Sequence, residues 1–230
     1  MTRTPRHIPT YTRQTVAGEP DGRLVSPSFA RNAGPIAEVL IPLLAGRTGT
    51  VLEVGAGPGQ HSAHFAGLLA GHAPGLRWLP TDPEPGHLAS IEAWRAFSGT
   101  EALLPPARLD ATDDWETAPA IDGHRPLAAV YVQNVLHIAP WAVTEGIVAG
   151  AAATLAPGAP VIVYGPFREG GVHTGEGNAR FDAALRADNP EWGVRCVDEI
   201  GALAEAHGLT APTLTPMPSN NRVLVMTRRG

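Results

Sequence analysis

A chain of 230 residues with 43% hydrophobic and 17% charged side chains is long and apolar enough to bury a core, which excludes an intrinsically disordered polypeptide. A formal net charge of -5 disfavours non-specific nucleic-acid binding, and no apolar run reaches the length of a membrane span. The lone cysteine, Cys196, has no partner for an intrachain disulfide, in keeping with a reducing compartment.

Residues 1–24 read as a flexible N-terminal arm, polar and broken by Pro5, Pro9, Gly18, Pro20 and Gly22. Arg3, Arg6 and Arg13 stand there without the apolar core of a secretory signal, so the cytoplasm is the expected location. Residues 25–230 read as one domain. Ser26-Pro27 opens a helix with apolar residues at helical spacing from 30 to 44. Strand one is expected over 50–54, a helix over about 59–70, and strand two over 76–81, ending at Asp82. Pro83 and Pro85 mark the next turn, before a helix over 86–97. A short third strand is expected over 103–109, ending at Asp110. Residues 127–132 form a continuous apolar run, the pattern of a strand covered on both faces. A helix over 140–155, a Pro157-Gly158 turn and strand five over 160–164 follow. The glycine-rich stretch 165–177 reads as a functional loop. Helices over 179–187 and 197–207 lead to strands over 213–217 and 222–227, close enough in sequence to pair antiparallel. Strands alternating with helices define an α/β, Rossmann-like doubly wound sheet.

The sharpest motif lies where strand one ends, in Glu53-Val54-Gly55-Ala56-Gly57-Pro58-Gly59-Gln60. Glycine at 55, 57 and 59 removes side chains where backbone and ligand approach, and the helix behind offers free amides. A dinucleotide fingerprint would need its third glycine where Gln60 stands, which counts against a nicotinamide cofactor. The pattern instead resembles motif I of class I S-adenosylmethionine (SAM)-dependent methyltransferases. Asp82, with Pro83 beside it, ends strand two, where an acidic side chain accepts hydrogen bonds from a ribose diol. In the resembled class, Asp110-Ala111 faces the adenine and its exocyclic amine, and Asn134 ends strand four in the same crevice.

The resemblance narrows further. Arg23-Leu24-Val25-Ser26-Pro27, Arg31-Asn32, residues 51–61, Leu88-Ala89-Ser90-Ile91, Asn134, His137-Ile138-Ala139-Pro140-Trp141, Tyr164-Gly165-Pro166-Phe167 and Trp192-Gly193-Val194-Arg195 resemble the signature blocks of the methyltransferase-like protein 26 family, a former domain-of-unknown-function family of bacteria and animals. Many of its members carry Ser-Gly-Thr-Gly where this chain has the more general Gly-Ala-Gly-Pro-Gly. The resemblance runs from about residue 23 to the C-terminus. It implies a seven-stranded class I methyltransferase sheet with an antiparallel C-terminal strand pair, and SAM as cofactor. It implies no particular substrate.

Each candidate residue has a functional and a structural reading. Glu53 either orients the loop and the methionyl part of SAM or only caps the loop. Asp82 binds ribose or caps the next helix. Gly55, Ala56, Gly57 and Gly59 form the cofactor loop. Arg31 and Asn32 sit on the helix that should cover the cofactor, with Arg31 suited to the methionyl carboxylate or else solvated. His137 is the candidate general base, against a role at a helix terminus. Tyr164 and the loop after it should line the acceptor pocket, with His173 as a second base. Trp141 and Trp192 either shape that pocket or pack in the core. His61 and His64, spaced i, i+3, lack a nearby third ligand, so no metal is expected. Gln133-Asn134 also replaces the acidic pair of a divalent-metal clamp, and lacks the Asn-Pro-Pro-aromatic tetrad of nucleic-acid amino methyltransferases. The expected function is in-line methyl transfer to a small-molecule O, N or S nucleophile, with no nucleic-acid or membrane partner and a homodimer left open. The alternatives are a SAM- or S-adenosylhomocysteine-binding module without turnover and, less favoured, a nicotinamide oxidoreductase.

Overall fold

The computed structural model of the protein describes residues 17–230. The first two thirds of the arm, residues 1–16, therefore lie outside the described residues. Its end is ordered into an antiparallel ribbon of β1 (Ala17–Gly18) and β2 (Leu24–Val25). Then come α1 (Phe29–Leu44), β3 (Gly49–Val54), α2 (Gln60–His72), β4 (Leu76–Thr81), α3 (Pro85–Ser98) and the short α4 (Pro119–Asp122). β5 (Leu127–Gln133) runs through a 3₁₀ turn (Leu136–Ile138) into α5 (Trp141–Thr154), β6 (Pro160–Glu169) and β7 (Val172–His173). The chain ends with α6 (Glu176–Asp188), β8 (Arg195–Cys196), α7 (Val197–Ala206), β9 (Thr213–Pro216) and β10 (Asn221–Thr227).

The main sheet runs β4-β3-β5-β6-β10-β9, with β7 and β8 attached to β6. β4, β3, β5 and β6 are parallel, and β10 is antiparallel to both β6 and β9. The chain winds from β3 outward to β4 on one side, then returns to β5 and β6 on the other. That reversal opens a crevice at the carboxyl ends of β3 and β5, where ligands of doubly wound sheets bind. The β5 run is buried on both faces, as its composition demands: Val130 and Val132 join the core beneath α5 and α7, while Ala129 and Tyr131 face α1 and α2. On α1 the residues Ala33, Ile36, Ala37, Leu40 and Leu44 form the buried stripe.

Two expectations are corrected. The third strand is reduced to isolated bridges, Trp78 to Leu103 and Thr81 to Ala107. Pro105-Pro106 lies between them and removes two amide donors from the ladder. Without that strand, the two short strands β7 and β8 attached to β6 still bring the sheet to eight strands among the described residues, where seven were expected. Residues 165–177 are not an open loop either. β6 continues through Gly165 and Pro166 because β10 pairs with it there, Arg222 opposite Gly165 and Asn221 opposite Pro166. It then turns back at Gly170-Gly171, both at positive φ, into β7, and α6 starts at Glu176.

Candidate functional site

The glycine loop is clamped to β4. The amides of Gly55 and Ala56 both donate to the Thr81 carbonyl at 2.9 Å, and the Thr81 hydroxyl donates back to the Glu53 carbonyl at 2.6 Å. Gly55, Gly57 and Gly59 all sit at positive φ. Their surroundings differ. A Cβ on Gly59 would stand 2.8 Å from the Ile91 Cα, so this glycine lets α3 pack against the loop. A Cβ on Gly57 would meet nothing within 4 Å, so Gly57 is the glycine that faces open space. Gly59→Ala is expected to cost about 2–3 kcal/mol in urea unfolding, from backbone strain and overpacking together. Gly57→Ala should cost about 1 kcal/mol, from strain alone.

Asp82, nearly buried, ties the loop to the next helix. Its Oδ2 accepts the Gly57 amide at 2.9 Å, and its Oδ1 accepts the Glu84 amide at 2.9 Å and His87 Nδ1 at 3.1 Å. His87 was not legible as a site residue: only its spacing from Asp82, into the first turns of α3, hints at the contact. Burial works to lower the His87 pKa, yet Asp82 and the Glu84 charge carry it above its usual range. Glu53 lies under the loop, 2% exposed, where its Oε2 accepts the Trp78 indole N–H at 2.6 Å. Burial pushes its carboxyl up to about 7, with the Asp82 charge in the same direction and the nearby Ser62 hydroxyl and Trp78 indole opposing. Glu53 thus braces β3 against β4. Pro83 is half-buried beside Asp82. Asp110 closes a tight turn by accepting both the amide and the hydroxyl of Thr112, at 3.0 and 2.9 Å. Ala111 is buried, its carbonyl accepting the Trp115 indole N–H at 3.2 Å.

The other wall is built at the end of β5. Asn134 takes the left-handed conformation (φ 57°), and its amide donates to the Tyr164 carbonyl at 2.9 Å. A Cβ on Gly165 would stand 3.6 Å from both Asn134 Oδ1 and His137 Nδ1, so both side chains border that glycine. The His137 ring, on the 3₁₀ turn, is 5% exposed and packs edge-on against Phe181. Burial, helped by the Arg195 charge, pushes its pKa down to about 3, so the imidazole is neutral at physiological pH. Tyr164 Oη accepts from Asn221 Nδ2 at 3.0 Å. Burial raises the Tyr164 pKa, against the pull of Asn221, Asn32 and the Arg31 charge. Asn32 is buried, with Oδ1 2.7 Å from His61 Nε2. Arg31 is exposed and donates to the Pro27 carbonyl at 3.2 Å. His173 lies on β7 with Nε2 3.4 Å from Asp182 Oδ2. Trp192 is core, at 1% exposure, whereas Trp141 is half-buried.

The N-terminal blocks are strapped over this loop. The Leu24 amide donates to Ser90 Oγ at 2.8 Å, and the same hydroxyl donates to the Pro58 carbonyl at 2.7 Å. Gln60 accepts the Ser26 amide at 2.9 Å, and the Trp94 indole donates to the Leu24 carbonyl at 2.8 Å. Gln60, which breaks the dinucleotide pattern, is therefore one of three anchors of the strap, with Ser90 and Trp94.

Residues 23–228 match the family described as protein of unknown function DUF938. The chain belongs to this family. Among solved structures it is similar to an O-methyltransferase family protein from Burkholderia thailandensis, with a TM-score of 0.71 and 16% identity over 88% of this chain and 58% of that one. Human N-acetylserotonin methyltransferase in complex with SAM matches with a TM-score of 0.68 and 12% identity over 88% and 53%. An O-methyltransferase family 2 protein from Planctomyces limnophilus in complex with apigenin matches at 0.66 and 18% over 87% and 60%. The DUF938 chain spans little more than half the length of these proteins, and shares with them the class I methyltransferase fold. No described helix is long and apolar enough to cross a membrane. Among the described residues no three His, Cys, Asp or Glu side chains are placed to hold a metal ion.

Proposed function

We propose that this protein is a SAM-dependent methyltransferase of the methyltransferase-like protein 26 group that acts on a small-molecule O, N or S nucleophile. The observation that carries the reading is Gly57: its α-carbon faces open space at the carboxyl end of the central strand, while its amide is held by the Asp82 carboxylate. The donor set fits the cofactor. A carboxylate accepts about four hydrogen bonds, and Asp82 accepts three from protein groups, of which the bond from the His87 side chain is the one free to yield. Asp82 with Pro83 would hold the ribose, Asp110 and Ala111 the adenine. Gly55, Ala56, Gly57, Gly59 and Asn134 would surround the methionyl part, with Arg31 and Asn32 covering it and Glu53 bracing the loop from below. Bound SAM supplies a methyl group activated by its sulfonium.

The chain's own contribution is placement. Holding donor and acceptor in line is the largest effect available to it. Asn134, His137 and Tyr164 form the wall left for the acceptor. A neutral imidazole with a pKa of about 3 is a poor proton acceptor in bulk terms, so His137 acts mainly by accepting a hydrogen bond from the nucleophile. His137→Ala is expected to lower kcat by about tenfold, well short of the loss from a full general base, and to leave SAM affinity unchanged. The names of the structural neighbours favour oxygen as the atom methylated. Isothermal titration with SAM is the direct test, and absence of heat would sink the reading. The weak basicity of His137 also favours a second reading, a SAM- or S-adenosylhomocysteine-binding module without turnover. It predicts the same heat, but no methylated product from a panel of phenols, amines and thiols.

A further inference from the structure

A second cavity, of about 480 Å³, lies where five elements converge. It is lined by Arg168 of β6, Arg186 of α6, Arg195 of β8, Trp141 of α5 and Glu199 of α7. Three guanidinium groups face one carboxylate, so the lining carries an excess of positive charge. The methyl-transfer reading leaves this cluster unused.

Each arginine is fixed by one end and open at the other. Arg168 Nε donates to the Val194 carbonyl at 3.0 Å, and its Nη2 stands 3.6 Å from Glu199 Oε2. Arg186 Nε donates to Asp182 Oδ2 at 3.0 Å. Arg195 Nε donates to the Leu136 carbonyl at 3.0 Å, and its Nη2 donates to the Ala139 and Glu191 carbonyls. The Nη1 groups of all three, and Nη2 of Arg186, make no protein hydrogen bond among the described residues, and the Arg186 side chain is 46% exposed. Burial, and the charges of Arg186 and Arg168, hold the Arg195 pKa below its ordinary value despite Glu199 and Asp182. The guanidinium of Arg195 also stands over the Trp141 ring, 5.7 Å from its centroid. Pre-fixed guanidinium groups with spare forked donors are the chemistry that recognises carboxylate and phosphate oxygens.

We propose that this cavity is an oxyanion-binding site, built to take the carboxylate or phosphoryl group of a small ligand between Arg168, Arg186 and Arg195 against Trp141. Glu199 is its internal competitor, occupying Arg168 when no anion is bound. The site also shares Arg195 with the turn of His137, because that guanidinium holds the carbonyls of Leu136 and Ala139 on either side of it. The inference does not depend on methyl transfer.

Isothermal titration at low ionic strength with inorganic phosphate, and separately with acetate, tests it. The full chain should bind at least one of the two. Arg168→Gln should weaken binding about tenfold. Glu199→Gln, at an exposed position, should strengthen it several-fold by freeing Arg168. Neither residue holds the His137 turn, and circular dichroism will show that both variants fold. Tighter phosphate binding assigns a phosphoryl ligand, and tighter acetate binding a carboxylate. Heat from neither anion, or affinities unmoved by both substitutions, would overturn the proposal.

Discussion

Asp82→Ala is expected to weaken SAM binding by about 100-fold, measured by isothermal titration at neutral pH. The substitution removes the proposed ribose acceptor. It also strands the amides of Gly57 and Glu84, two donors that the carboxylate now holds at 2.9 Å. An unpaired buried donor costs about 1–3 kcal/mol, so the loop loses its shape as well as its ligand contact. Asp82→Asn keeps one acceptor oxygen and should lose about tenfold. His87→Ala separates the two contributions. It leaves both amides satisfied and releases Asp82 Oδ1 from its only side-chain donor among the described residues. Affinity should then hold or improve, whereas a purely structural Asp82–His87 pair predicts loss. Because Asp82 raises the His87 pKa, protonation strengthens that pair, and wild-type SAM affinity should fall as His87 takes up its proton. Unchanged SAM affinity in Asp82→Ala would remove the cofactor reading of the glycine loop.

What the sequence discloses here depends on whether a feature is local. The run 127–132 reads as a central strand because burial on both faces leaves a mark in composition. The glycine loop is equally legible, since turn, strand and helix follow within a dozen residues. The continuation of β6 through Gly165 and Pro166 is not. Its ladder comes from β10, more than fifty residues later, and local propensity argues against a strand there. Nor is the contact of His173 with Asp182 legible, because it depends on the hairpin that carries His173 on β7. The third strand is lost for the opposite, local reason: Pro105-Pro106 interrupts its apolar pattern and leaves only isolated bridges. Asp82 was found, but not its partner, because the role of His87 requires knowing how α3 leaves the sheet. Arg195 was visible as part of a motif, while its hold on the His137 turn emerged only from the geometry.

Acid is expected to destabilise the protein through two histidines, opposed by one carboxylate. Burial holds His61 at about 4, with His64 beside it, and His137 at about 3, against an ordinary value of 6.5. Below about pH 6.5 the unfolded chain therefore binds more protons than the folded one at both positions, and stability falls as the pH drops. Glu53 has the opposite sign. Its folded value of about 7 lies above the ordinary 4.5, so its contribution is full below about pH 4.5 and is lost as the pH rises through about 7. The raised pKa of His87 acts in the same sense as the pH rises above its ordinary value of 6.5. Between about pH 4.5 and 6.5 the net difference for His61, His137 and Glu53 together is one proton taken up on unfolding, a slope of about 1.4 kcal/mol per pH unit, and His64, lowered by burial, adds in the same sense. Below about 4.5 Glu53 is protonated in both states and the slope steepens, and the depressed pKa of Asp182 adds to the loss in stronger acid. Stability should thus peak near pH 6.5 and fall by on the order of 3–4 kcal/mol by pH 4. Urea unfolding at half-unit steps from pH 4 to 8 will trace this curve. Glu53→Gln should remove much of the decline above the peak and double the slope between 4.5 and 6.5, whereas His61→Gln should flatten that slope. A wild-type curve that is level from pH 6.5 to 4.5, or a Glu53→Gln curve parallel to it, would show that these buried groups do not set the response to acid.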